Sequence, residues 1–442
     1  MSTPTPSRVA RPCAITALIA TALLSGGAAQ AIDYGPFSLT GFAKAEAGRA
    51  SSRCKACQVD PTADKQFVWA DELVQGKDYG AGNTHVTLFQ PYLGVKFDLP
   101  KGFKVQGLLS QRYRDGNVDF PGFWYEKNVA LSHDDYGSVR IGAMTTRGWS
   151  VADYPYGSNI GVADIWGSAG AGYGVLTRAV RVQTRPLDVL EGDLVLEATY
   201  DQGKSGWSRN KPRFWELYAQ FHKGDLVVDA IYQLGKNGTP SAFGHGVFTG
   251  LTPFPADDAK LGSSSQGIAM VMARYQVDSK IEVSGGLRAN RWSGAYARIT
   301  RPASTSVSGF DEWNNPFNVD WSKDLGGGVY KGYPATSMDI IVGLRYRFAA
   351  YWTASTGFTH LGPAATENPC DRGQSNAATV NTIGLNYDFK NGLQVYGSGT
   401  LVNYARRGLA PLSMPSNSAF TNIDSRLKSR GNSWLLGAVY TF

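Results

Sequence analysis

The body of this chain lacks a long apolar run and carries little charge. Of its 442 residues, 18% are charged, which is below the quarter or so that is usual in soluble domains. After the N-terminal segment, no apolar stretch reaches the roughly 18 residues that a membrane-spanning helix needs. A bundle of membrane helices is therefore excluded. Low charge combined with 12% aromatic residues also argues against an intrinsically disordered chain.

Histidine and cysteine are scarce, and neither forms a catalytic or metal-binding pattern. The 5 His are dispersed, and none lies in a motif that would activate a nucleophile. Cys54 and Cys57 are three positions apart, but Gln58 stands where haem attachment requires His, and no second cysteine pair completes a zinc site. We predict no metal, no cofactor and no enzymatic activity. A small Cys54–Cys57 disulfide is the favoured hypothesis, with Cys370 either free or competing for one partner.

The N-terminus has the pattern of an export signal. A basic segment precedes a short apolar stretch over 14–24, and a small-residue cleavage site ends at Ala31. The apolar part is too short to span a bilayer as a helix. We predict a signal peptide over 1–31 and one mature domain over 32–442, which remains basic. Export also places the remaining cysteines in an oxidising compartment.

Apolar and polar residues alternate along the mature chain. In the segment 280–292, Ile281, Val283 and Leu287 share one face, whereas Glu282 and Arg288 lie on the other. Successive side chains of a β-strand point to opposite faces, so each such segment has one apolar side and one polar side. No segment keeps a 3.6-residue period, and helices should be few and short.

The connections between these segments alternate strictly between short and long. Asn391-Gly392 is the strongest hairpin signal among the short ones. Seven short and eight long links join sixteen strands, which is typical of an outer-membrane barrel with short periplasmic turns and long extracellular loops. A closed barrel also satisfies every backbone polar group in a bilayer. The short links are 99–102, 134–137, 186–193, 223–225, 278–279, 349–350 and 390–392; the long ones are 48–83, 114–122, 146–175, 202–212, 235–266, 293–335, 361–376 and 405–432.

Aromatic and charged residues fit the same barrel. Nearly all strand charges fall on the polar face, and the exceptions, Lys127 and Arg291, lie near long-loop ends, where they can reach headgroups. Seven aromatic residues fall beside short links, as in an interfacial girdle: Phe97, Phe103, Phe221, Phe348, Trp352, Phe389 and Phe442.

These features resemble the general porin family of Gram-negative bacteria. The residues that carry the resemblance are the first strand 39–44, the hairpin 135–142, the long third loop after it, and the terminal Tyr440-Thr441-Phe442. The resemblance implies an all-β transmembrane barrel of about sixteen antiparallel strands, a homotrimer, and a third loop folded into the lumen. The third loop departs from the family pattern because the segment 147–175 has only two carboxylates, Asp153 and Asp164.

The candidate pore-lining residues are arginines of the polar face together with those two carboxylates. A ring of cationic side chains in a narrow pore attracts anions, so we predict a weak anion preference. The wall residues are Arg112, Arg140, Arg178, Arg181 and Arg288, with Asp153 and Asp164 contributed by the third loop.

The predicted function is passive diffusion of small hydrophilic solutes and inorganic ions across the Gram-negative outer membrane. The expected partners are those solutes, outer-membrane lipid with lipopolysaccharide, and two further copies of the chain, with no nucleic acid. A solute-specific channel for sugars or organic acids, or a substrate-gated transporter, is the first alternative. A barrel enzyme such as a protease or lipase is the second.

Overall fold

The computed structural model of the chain describes the barrel strands, their short links and the starts of some long loops. The described residues are 32–50, 65–70, 73–77, 82–118, 124–151, 173–202, 213–236, 243–244, 265–293, 296–297, 319–324, 329–363, 365–369, 377–389, 391–404 and 430–442. The predicted signal peptide, Cys54, Cys57, Cys370, Asp153 and Asp164 lie outside them.

Sixteen long antiparallel strands form one closed barrel, as the alternation of links predicts. Each strand pairs with its neighbours in chain order, and β1 pairs with both β2 and β16, which closes the sheet. The strands are β1 Phe37–Ala50, β2 Gly82–Asp98, β3 Phe103–Ser110, β4 Glu126–His133, β5 Gly137–Thr145, β6 Tyr173–Gln183, β7 Gly192–Asp201, β8 Arg213–Lys223, β9 Leu226–Lys236, β10 Ser265–Gln276, β11 Ile281–Ser293, β12 Ala335–Arg347, β13 Trp352–Leu361, β14 Ala378–Asp388, β15 Leu393–Tyr404 and β16 Arg430–Thr441.

Shorter elements extend or flank the barrel. Ile32–Tyr34 folds back on β1, and Leu187–Val189 extends the hairpin into β7. The helical elements described are a 3₁₀ turn at Pro100–Gly102 and a single α-helical turn at Arg147–Ser150. Among the described residues, no helix is long and apolar enough to cross a membrane. The remaining short strands are Lys65–Ala70, Leu73–Lys77, Tyr113–Arg114, Asn117–Val118, Phe243–Gly244, Tyr296–Ala297, Val319–Asp324, Val329–Gly332 and Ala365–Thr366.

The turn chemistry of the short links explains where hairpins form. Gly392 has a φ of 85°, a left-handed conformation that glycine adopts without steric cost, and the Asn391 side chain accepts a hydrogen bond from the Leu393 N–H at 3.1 Å. The turn at 278–281 is stabilised in the same way, because the Asp278 carboxylate accepts hydrogen bonds from the Lys280 and Ile281 N–H groups at 2.7 and 2.8 Å. These local bonds fix the register of the strands that follow.

The barrel wall has an apolar outer face. The exposed side chains of the strands include Val129, Ile141, Leu217, Val271, Leu287, Val342, Trp434 and Leu436. Lys127 and Arg291 are also exposed and lie near long-loop ends of β4 and β11, as predicted. At the short-link rim, Trp352 contacts Phe348 and Tyr387, and Tyr387 contacts Phe389, which agrees with the predicted aromatic band.

The inner face is polar around most of the barrel but not all of it. Charged residues buried there include Glu126, Arg181, Glu197, Glu216, Arg288 and Asp339. Between them lies a buried apolar cluster, which includes Leu176, Phe214, Ile231, Ile268, Met270, Met272 and Ile341. The alternation implied an inner face that is polar all the way around the barrel, and this is wrong at the position of the cluster. Val151, just after the helical turn of the third loop, belongs to the cluster, so this part of the wall supports the loop.

Candidate functional site

The third loop begins by turning into the barrel. Directly after β5, the Arg147–Ser150 helical turn is closed by a hydrogen bond from the Val151 N–H to the Arg147 carbonyl at 2.9 Å. The N–H groups of Arg147 and Gly148 donate to the Glu216 carboxylate at 2.9 and 3.1 Å. Glu216 is on β8, three strands away, and is buried. A carboxylate satisfies the free N–H groups at the start of the turn and thereby holds it against the inner wall.

The Arg147 side chain adds a second anchor for the same turn. Its guanidinium donates two hydrogen bonds to the Glu197 carboxylate on β7, the Nε to Oε2 bond being 2.6 Å long. It also lies 5.3 Å from the centre of the Tyr218 ring. Bidentate arginine–carboxylate pairs of this kind fix the orientation of the guanidinium as well as stabilising the contact. The first turn of the loop is therefore tied to β7 and β8.

Arg181 is at the centre of this anchor. Its Nη2 lies 3.3 Å from Glu216 Oε1, and its Nε lies 3.7 Å from Glu197 Oε2. It also donates to the Thr199 hydroxyl and to the Thr145 carbonyl, both at 2.8 Å. As predicted, Arg181 faces inward, but two carboxylates share its positive charge. Its charge therefore contributes less to the lumen field than an isolated arginine would.

Two other predicted arginines line the neighbouring wall. Arg140, on β5, is the cross-strand neighbour of Arg181, and its Nη1 donates to the Asn128 side chain at 2.5 Å. Arg112, just after β3, is buried and donates to the Tyr125 hydroxyl at 3.2 Å while lying 5.4 Å from its ring centre. The Asn128 and Tyr125 side chains orient the two guanidiniums along the inner wall.

Arg288 and Arg178 lie apart from the Arg181 cluster. Arg288 is fully buried on β11, and its Nε and Nη2 donate to Asp339 of the adjacent strand at 3.1 and 2.8 Å. Its charge is paired with a carboxylate within the wall, and its predicted part in selectivity stays a prediction. Arg178 is exposed, whereas Leu176, Ala179 and Arg181 are buried, because β6 shifts its register against β5 between Leu176 and Ala179. The structure therefore does not bring Arg178 into the Arg181 cluster.

The sequence did not single out the residues that hold the third loop. Arg147 was treated as part of the loop and Glu197 and Glu216 as charges of the polar face, whereas Gln233 was not considered. Gln233 donates to Glu216 at 2.6 Å and completes its shell of donors. Strand pairing could have revealed them. Thr199 is the cross-strand partner of both Arg181 and Glu216, so carboxylates on the inner faces of β7 and β8 lie beside Arg181.

The inner wall offers hydrogen-bonding and charged groups but no metal cluster where it is described. In that part of the chain, no group of three or more His, Cys, Asp or Glu side chains is placed to hold a metal ion. The described carboxylates of the anchor are occupied by arginine and backbone N–H partners. The arrangement is suited to holding the first turn of the third loop against the inner wall.

Comparison with known proteins supports the fold alone. No family model matches the chain, and no curated protein matches it by sequence. Among solved structures, an anion-selective porin from Comamonas acidovorans is 12% identical with a TM-score of 0.56, covering 92% of this chain and 99% of that one. A trimer form of OmpT, an outer membrane protein of Vibrio cholerae, is 14% identical with a TM-score of 0.56, covering 93% and 100%. The outer membrane channel DcaP of Acinetobacter baumannii is 11% identical with a TM-score of 0.55, covering 92% and 97%. The chain has the barrel fold of Gram-negative outer-membrane proteins.

Proposed function

We propose that this chain is an outer-membrane porin through which small hydrophilic solutes and inorganic ions diffuse passively. The observation that carries the proposal is the third-loop anchor, in which Glu197 and Glu216 hold the first turn of the loop inside a sixteen-strand barrel. A barrel of this size leaves an aqueous lumen, and a loop held inward narrows it. Diffusion through such a channel needs no energy source and no cofactor.

Planar-bilayer recording of the purified protein tests this proposal. Discrete conductance steps in KCl, with a size that grows in proportion to bulk conductivity, are expected of an open aqueous pore. Conductance that saturates at low salt would indicate obligatory binding sites in the lumen. A folded protein that inserts and never conducts would contradict the proposal.

A weak anion preference and a homotrimer belong to the same proposal. Arg140, the cross-strand neighbour of Arg181, donates to the uncharged Asn128 side chain and supports the anion preference. Trimer formation draws support from the fold likeness to a protein solved in a trimer form. Light scattering on the detergent-purified protein, corrected for bound detergent, should give three times the monomer mass. A monomer at every detergent and salt condition would contradict it.

The export signal and the disulfide are further parts of the proposal. Cleavage after Ala31 should leave Ile32 as the first residue, which N-terminal sequencing of the membrane-inserted protein checks. Mass spectrometry of unreduced peptides should find Cys54 joined to Cys57. A crosslink from either residue to Cys370 would instead tie two extracellular loops together.

A solute-specific channel for sugars or organic acids is the second candidate. It is favoured by a polar cavity of about 330 Å³ that opens off the lumen beside the short links. Saturable uptake of one solute by proteoliposomes, with competition by its analogues, would distinguish a specific channel from a general one. A barrel enzyme is the third candidate, and turnover of lipid or peptide substrates by the purified protein would favour it.

A further inference from the structure

The structure points to a binding site for a small doubly charged oxyanion at the short-link end of the lumen, an inference that rests on the proposed channel function and adds a solute class to it. We propose that the site is the polar cavity of about 330 Å³ between β10 and β15. Three of its cationic side chains are Lys280, Arg345 and Arg347. The class comprises dicarboxylates and phosphate, which share two negative charges on compact oxygen groups.

The cations of this cavity are placed side by side. Arg347 donates its backbone N–H to the Lys280 carbonyl at 2.8 Å, and the adjacent residues Ile281 and Tyr346 are cross-strand partners. Lys280 and Arg347 therefore occupy neighbouring positions on the inner ends of β11 and β12. Like charges directly opposite each other on adjacent strands are destabilising. An anion bound between them would remove that repulsion.

The acids that line the cavity form no ion pair with Lys280 or Arg347. Glu282 is engaged with Arg345, whose Nη1 lies 3.0 Å from Glu282 Oε1. Asp388 also lines the cavity. Across the described residues, no carboxylate comes within 4.0 Å of the Lys280 ammonium or the Arg347 guanidinium. The cavity therefore presents two positive charges that form no ion pair, although Asp278, whose carboxylate accepts the Lys280 and Ile281 N–H groups, offsets part of the Lys280 charge.

A buried polar group also points to a ligand. Asn386 lines the cavity and is only 5% exposed, and its Oδ1 has no hydrogen-bond partner among the described residues. An unsatisfied buried amide costs free energy unless a ligand or water meets it. The amide can present its NH₂ or its oxygen to the cavity, and the NH₂ orientation would donate to an oxyanion. The Gln394 side chain at the same cavity is a second donor.

Size and rigidity agree with a small ligand. At about 30 Å³ for each water molecule, the cavity has room for about ten waters, enough for a four-carbon dicarboxylate with part of its hydration. The turn that carries Lys280 is fixed by Asp278, which accepts two backbone N–H groups, and by Gln276, which donates to the Asp278 carbonyl at 2.6 Å. The cation is thus displayed on a rigid hairpin, which lowers the entropy lost on binding.

The test uses the full-length protein in planar bilayers at about 0.05 M KCl, where screening is weak. Succinate and inorganic phosphate are added on each side in turn, and the reduction of chloride current is measured against concentration. Block of the unmodified channel is expected, and the probe with the lower half-blocking concentration is the better ligand. Succinamide, the neutral diamide of the same length as succinate, should not block.

Paired variants locate the block. The double variant Lys280→Gln/Arg347→Gln should raise the half-blocking concentration about tenfold or more, which is 1.4 kcal/mol in binding free energy. Lys223→Gln removes a cation at the short link between β8 and β9, outside the cavity, and it should change that concentration by less than about twofold because Glu191 already pairs with it at 3.0 Å. Equal block in the double variant and the unmodified channel would overturn the site.

Calorimetric titration of succinate into the detergent-folded protein separates the site from the channel. If the protein binds succinate, the double variant does not, and neither conducts, the site is supported and the proposed pore is contradicted. If the protein conducts but succinate neither blocks the current nor binds in the calorimeter, the pore is supported and the site is contradicted. Circular dichroism of each variant confirms that the barrel has folded.

Discussion

At the residue scale, the inner wall neutralises many of its charges in specific pairs, and the Arg288–Asp339 pair is the most buried. Both side chains have no exposed surface, and Asp339 also accepts hydrogen bonds from Asn290 at 2.7 Å and from the Gly362 N–H at 3.1 Å. Removing one partner of such a pair leaves the other charge buried. We expect Asp339→Ala to lower the free energy of unfolding by about 3–5 kcal/mol, measured by denaturant titration of the folded barrel.

Two companion variants show whether that loss comes from the buried charge. Replacing both partners by apolar residues, as Arg288→Met with Asp339→Leu, should recover most of the loss, because no charge is then stranded. Asp188→Ala, at an exposed position near a short link, should be nearly neutral. A double variant as unstable as Asp339→Ala would contradict this account.

The Asp278 carboxylate gives a pH prediction at the same scale. Hydrogen bonds from the Lys280 and then the Ile281 backbone N–H groups lower the pKa of Asp278 below its ordinary value. A lowered pKa in the folded state means that the carboxylate stabilises the hairpin above the unfolded pKa of about 3.9, and that this contribution is lost as the pH falls through the lowered value. We expect a carbon-13 titration of Asp278 to have its midpoint below that of an unfolded reference peptide. An Asp278→Ser variant, which keeps an acceptor but does not titrate, should lack this acid-dependent loosening.

At the element scale, the first turn of the third loop is held by one arginine and two carboxylates. Arg147→Ala removes two charge-assisted hydrogen bonds to Glu197 and should cost about 1.5–3 kcal/mol of stability. Since the turn is then released from β7, we also expect a larger single-channel conductance. Lys223→Ala removes an exposed pair with Glu191 at a short link and serves as the control with unchanged conductance. Equal conductance in Arg147→Ala and the unmodified protein would show that this turn does not narrow the pore.

The contact between β1 and the C-terminal residue depends on Gly41, which lies against the Phe442 ring. Gly41 and Phe442 exchange backbone hydrogen bonds of 2.9 and 3.0 Å, and a Cβ at Gly41 would lie 2.6 Å from the Gln90 carbonyl oxygen and 2.8 Å from the Phe442 ring. We expect Gly41→Ala to lower barrel stability by about 1–3 kcal/mol through overpacking. Gly285→Ala is the matched control, because its Cβ would meet Ile341 at an ordinary 3.5 Å. Denaturant unfolding of the two variants decides whether the close approach matters.

Strand number and link positions could be predicted from the sequence because they depend on local patterns. A period of two and turn chemistry such as Asn391-Gly392 act over a few residues, and the structure confirms sixteen strands with these links. The third-loop anchor depends on contacts between residues far apart in the chain, such as Arg147 with Glu216, which are separated by 69 positions. No periodicity encodes such a pair. The position of Arg178 was missed for a related reason, since a register shift in β6 interrupts the alternation.

At the scale of the whole molecule, ion selectivity reflects the sum of the charges that the wall leaves uncompensated. Arg181 and Arg288 are paired with carboxylates, so the anion preference that we expect arises from groups such as Arg140, Lys280 and Arg347. Charges of this kind act over the Debye length, which is about 30 Å at 0.01 M salt and about 3 Å at 1 M. The preference should therefore be clear at low salt and vanish at high salt, as measured by reversal potentials across KCl gradients of fixed ratio.

Two charge variants at one end of the lumen should move the reversal potential in opposite directions. Lys280→Gln with Arg347→Gln removes two positive charges and should shift the channel toward cations. Glu282→Gln removes the acid that pairs with Arg345 and should shift it toward anions. Both shifts should shrink together as the salt concentration rises, because the same ionic atmosphere screens both sites. Shifts of the same sign, or shifts that persist at 1 M KCl, would indicate that the substitutions act by changing the shape of the pore and not its field.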